Sequence, residues 1–68
     1  MNYKGSMYSD FVADLFAEGV TIESEVNTSD GKVRRLKTKE GKEWDIYYRQ
    51  NTVVKIVRIY KDGTRREV

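Results

Sequence analysis

Glu43 and Asp45 lie two residues apart in a run of strand-forming residues, so both side chains point to one face. A carboxylate pair of that kind could hold a metal ion or share acid and base roles. The residues expected opposite them, Lys37 and Arg35, favour charge pairing instead. The chain has no Cys and no His, so thiol chemistry, Ser/His and Cys/His nucleophile pairs and ordinary zinc sites have no residues to use. Its glycines occur singly and form no phosphate-binding loop. The expectation is a protein that is not an enzyme and carries no catalytic, cofactor or metal site.

Recognition chemistry is better supplied. Val33, Tyr47, Ile56 and Tyr60 fall near Arg35, Arg49 and Arg58 when the strands are set in register. Tyr and Arg are the residues most often found at the energetic centres of protein interfaces. These seven are the expected protein-binding residues. A second set, Lys55, Arg58, Lys61, Arg65 and Arg66, would make the C-terminal hairpin a positive edge. Phosphates could sit there and Tyr rings could stack bases, which is the alternative, nucleic-acid reading. Lysines on a strand edge also serve to block aggregation. Charge is unevenly spread: residues 1–30 hold one base against six acids, whereas residues 31–68 hold twelve bases against five acids.

The elements that would position these residues follow from periodicity. Tyr8, Phe11, Val12, Leu15 and Phe16 recur at helical spacing and predict a helix over residues 7–18. Asp10, Asp14 and Glu18 form an acidic stripe on another side, with Ser6 or Ser9 as N-cap and Gly19 as the left-handed terminator. Residues 1–6 show no pattern and are expected to be loose.

From Val20 the period becomes two. Extended runs cover about residues 20–27, 32–39, 42–49, 53–60 and 64–68, with turn residues between them. Connections this short force antiparallel neighbours. The expected fold is α+β: one domain over residues 1–68, with a helix on one face of a five-stranded antiparallel meander over 20–68, open or curled into a small barrel.

Three-residue loops at Ser29–Gly31 and Lys39–Gly41 set Glu25 and Asp45 on either side of Arg35, and Leu36 opposite Trp44. Continuing the pairing with Asp45 opposite Arg58, and a two-residue Asp62-Gly63 turn, gives one row of alternating sign: Glu25, Arg35, Asp45, Arg58, Glu67. That register sends Val20, Ile22, Val26, Leu36, Trp44, Ile46, Tyr48, Val57 and Ile59 to the helix, with Arg34 at the margin. Val33, Tyr47 and Ile56 are left on the helix-free face, where a partner protein or a second copy of the chain would cover them.

The order of one helix then five strands is similar to that of Sm-like proteins, whose second sequence motif this chain lacks. Small size, dense charge and missing catalytic residues resemble accessory proteins of phages and mobile elements, including inhibitors of host defence. The resemblance implies a small inhibitor or regulator that works by binding. No apolar run reaches the roughly 18 residues a membrane-spanning helix needs, and the lack of Cys suits the cytoplasm.

Overall fold

The computed structural model describes residues 4–68, with side chains from Ser9 onward. Helix α1 (Lys4–Glu18) leads into five strands: β1 (Val20–Asn27), β2 (Gly31–Thr38), β3 (Glu43–Arg49), β4 (Thr52–Ile59) and β5 (Arg65–Glu67). They form one antiparallel sheet in sequence order, with β1 and β5 as its edges, so it is an open meander and not a barrel.

The helix begins at Lys4, ahead of the expected residue 7, so Ser6 and Ser9 lie inside it rather than at the N-cap position. Residues 4–6 contain no proline and simply extend the helical run, whereas residues 1–3 and the side chain of Tyr8 lie outside the description. Val12 and Leu15 are buried against the sheet, with Phe11 beside them, but Phe16 is 41% exposed. The contact stripe is therefore narrower than the apolar pattern. Gly19 ends the helix at φ +97°, its N–H donating to the carbonyls of Leu15 and Phe16.

Leu36, Ile46 and Ile56 are fully buried under the helix, at about 1.5 to 3 kcal/mol for each such side chain removed from water. Val53 joins them, and Val20, Trp44 and Tyr48 pack around the margin. The rings of Phe11 and Trp44 meet edge to face at 4.9 Å.

Register decides which side chains reach this core. The β2–β3 hairpin is as expected: Arg35 faces Asp45, Leu36 faces Trp44 and Lys37 faces Glu43 around a Lys39–Gly41 loop. The other three hairpins depart from expectation, each for a local reason. In the first, Gly31 is not the left-handed end of a loop but the first residue of β2, paired with Arg49. A Cβ there would stand 1.9 Å from the Tyr48 carbonyl oxygen, so the backbones approach too closely for any other residue. Thr28 donates to the Gly31 carbonyl across Ser29-Asp30, which sets Glu25 opposite Arg34 and Val26 opposite Val33. An irregularity between Ile22 and Ser24 then returns Ile22 to Leu36.

The third connection is a two-residue turn at Gln50-Asn51, both at positive φ, which suits the twist of the flanking strands. A shift at Tyr47/Tyr48 leaves Val54 as an extra residue in β4. Asp45 therefore faces Val57 rather than Arg58. In the last hairpin, Tyr60 pairs with Thr64 around Lys61–Gly63, a three-residue loop like Lys39–Gly41, so Glu67 faces Val57. The expected five-strand charge row does not form; of its pairs only Arg35–Asp45 exists. Ile56 belongs to the core, while Val26, Val57 and Ile59 turn to the helix-free face.

Candidate protein-docking face

Pairing places Ser24, Arg35, Asp45, Val57 and Glu67 in one row across the helix-free face, and Val26, Val33, Tyr47 and Lys55 in the next. No second layer packs on these rows among the described residues, yet Asp45 is only 5% exposed and Val57 is equally buried. Long side chains from neighbouring strands provide the cover. Arg35 donates from Nε and Nη2 to the two carboxylate oxygens of Asp45 at 2.8 and 3.1 Å. Arg65 reaches over from β5 to the same carboxylate at 3.0 Å and donates a further hydrogen bond to the Tyr47 hydroxyl at 3.1 Å. The Lys55 ammonium stands 5.0 Å from the centre of the Tyr47 ring.

Burial pushes the Asp45 carboxyl up, but the hydrogen bonds and charges of Arg35 and Arg65 more than offset that and hold it below its ordinary range. The same hydrogen bond raises Arg35 above its already high value. Asp45 thus stays ionised and fixes two guanidinium groups whose other edges face solvent, each arginine side chain being about 40% exposed. With both its oxygens engaged, Asp45 is a poor candidate for the metal-binding or acid–base pair with Glu43 that the sequence spacing allowed.

An open hollow of about 240 Å³ adjoins the Tyr47 ring, lined by Val33, Val54, Lys55 and Arg49 among others. Arg49 is exposed and paired with Asp30 at 3.1 Å, at the end of the sheet beside this hollow.

Of the seven expected protein-binding residues, Val33, Arg35, Tyr47 and Arg49 share this face. Ile56 does not: the extra residue in β4 turns it into the core. Arg58 points to the helix side for the same reason, over the Trp44 ring at 5.3 Å and the Tyr60 ring at 4.6 Å. It donates to the carbonyls of Glu43 and Ile59. Tyr60, at the start of the last turn, goes with Arg58 rather than with Tyr47.

The basic residues of the alternative set are likewise divided. Lys55 and Arg65 lie on the helix-free face, Arg58 and Arg66 pair on the other, and Lys61 sits in the turn, so they form no single positive edge. Sequence reasoning missed Lys55 and Arg65 as neighbours of Tyr47, and Val26 as a member of its row. The repeated Lys-x-Gly turn, Lys39–Gly41 and Lys61–Gly63, was the signal that would have placed Arg65.

Among the described residues no helix is long and apolar enough to cross a membrane. Comparison with known proteins finds no matching family model, no similar curated protein and no similar solved structure.

Proposed function

We propose that this chain is a small non-catalytic binding module, an inhibitor or regulator that docks another protein on the helix-free face of its sheet. The observation that carries this reading is the Tyr47 cluster: an aromatic ring beside Val33, with Val26 next in the same row, bordered by Arg35, Lys55 and Arg65, on a face with no second layer among the described residues. Both arginines are already held by Asp45, so docking onto them costs less side-chain entropy than docking onto free arginines. The cations and rings together suit a partner surface that offers carboxylates around an apolar centre.

Affinity capture with the immobilised protein, before and after nuclease treatment, tests the reading. The expected partner is a protein retained after nuclease and lost with Val26→Asp, a change at a residue 59% exposed that leaves the core alone. Tyr47→Ala should weaken binding by roughly tenfold or more if the ring is an anchor. Retention by both variants, or loss with nuclease, would remove this reading; nuclease-sensitive capture would favour nucleic acid. Dimerisation in sedimentation at micromolar concentration, abolished by Val26→Asp, would assign the face to a second copy of the chain.

A further inference from the structure

The two edges of the sheet are not alike. β5 is three residues long, too short to template another strand. β1 is eight residues long, exposed at every position after Val20, and among the described residues paired with β2 alone. An edge of that length presents a row of unpaired backbone N–H and C=O groups over about 25 Å. We propose that the outer edge of β1 accepts an extended basic segment of a partner protein as a sixth strand. This inference is independent of the helix-free face.

Charge selects the occupant. β1 carries Glu23 and Glu25 and no base. Glu25 is engaged by Arg34, whereas Glu23 makes no ion pair among the described residues. Antiparallel pairing of two copies about Ser24 would set Glu23 of one against Glu25 of the other, and like charges directly opposite destabilise a strand pair. The irregularity between Ile22 and Ser24 further interrupts a flat self-pairing surface. Features that reject a second copy thus favour a strand with Lys or Arg at those positions. Ile22, on the helix side and 47% exposed, offers an apolar contact to the same incoming strand.

Amide hydrogen exchange by NMR on the full chain tests this directly, with an alternating lysine–valine heptapeptide as the probe. The expected result is slowed exchange within residues 21–27. The matching glutamate–valine peptide should produce no slowing, nor should a lysine–valine peptide N-methylated at every residue, which keeps the charge but removes the donors from both edges. Glu23→Lys should weaken the parent peptide about fivefold, the equivalent of one cross-strand charge pair. Equal binding of the N-methylated peptide would reduce the contact to charge attraction and overturn strand addition. Protection confined to other residues, no protection at all, or unchanged affinity in Glu23→Lys would overturn it too.

Discussion

Asp45 and Ile46 are neighbours on β3 that point to opposite faces of the sheet, and both are buried, at 5% and 0% exposure. They are buried by different means. Ile46 lies under a helix, in contact with a cluster that includes Val12 and Leu15. Asp45 lies under two guanidinium groups that belong to its own sheet. One face gains its dryness from a second layer, as most sheets do. The other gains it from arginine side chains that close over Asp45 while their outer edges stay wet. An uncovered sheet face can therefore have a buried centre and still leave its periphery available for binding.

Mutation should separate the two kinds of burial. Ile46→Ala removes a fully enclosed side chain and should cost about 2–5 kcal/mol. A domain of this size rarely has more than about 3–5 kcal/mol in total, so circular dichroism in urea should find the variant largely unfolded. Asp45→Asn keeps the shape and removes the charge. Breaking a wholly buried ion pair costs about 3–5 kcal/mol, but Arg35 and Arg65 can rehydrate from their exposed edges. The expected loss is therefore smaller, about 1–2 kcal/mol in the same titration. If Asp45→Asn costs as much as Ile46→Ala, the helix-free face is a second core and the contrast fails.

Acid should affect the two faces unequally as well. The Asp45 carboxyl is held below its ordinary value of 3.8, so its contribution to stability is complete above that pH and is lost as pH falls through the lower folded value. Ile46 has nothing to titrate. Urea midpoints of the wild type and Asp45→Asn should therefore converge as pH is taken below 3.8, whereas a gap that persists to lower pH would mean that packing, not charge, holds Asp45.

Architecture was legible in the residues because periodicity changes sharply at Gly19 and each later break carries turn residues. The β2–β3 register was legible too, since Gly41 fixed the loop and Arg35–Asp45 agreed with Leu36–Trp44. The candidate site was only partly legible, and the cause lies in β1 and β4. A single extra residue reverses which side chains face the helix. In β4 the sequence could not show the reversal, because Val53-Val54 and Ile56-Val57 are apolar at both parities. Alternating charge then looked like a guide, and it placed Arg58 beside Asp45, whereas Arg58 lies over aromatic rings on the other face. Exposed pairs are worth too little, roughly 0–1 kcal/mol, to outweigh the geometry of a turn. Lys61–Gly63 adopts the loop its chemistry favours, and Arg65 reaches Asp45 in consequence.

The Tyr47 hydroxyl should matter least. Tyr47→Phe removes the hydroxyl that accepts from Arg65 and keeps the ring under Lys55. Arg65 remains held by Asp45, and the hydrogen bond is exposed, so water can replace it. The cost should be about 0.5 kcal/mol or less, near the lower end for a single hydrogen bond. A double-mutant cycle with Asp45→Asn gives the decisive quantity. If the two arms of Arg65 act separately, the losses add; if they hold it as one unit, the coupling exceeds about 0.5 kcal/mol. Additivity would describe Arg65 as a loose cover, free to turn toward an incoming partner. Strong coupling would describe a fixed donor, already aimed before the partner arrives, and would leave Lys55 as the adaptable cation of the face.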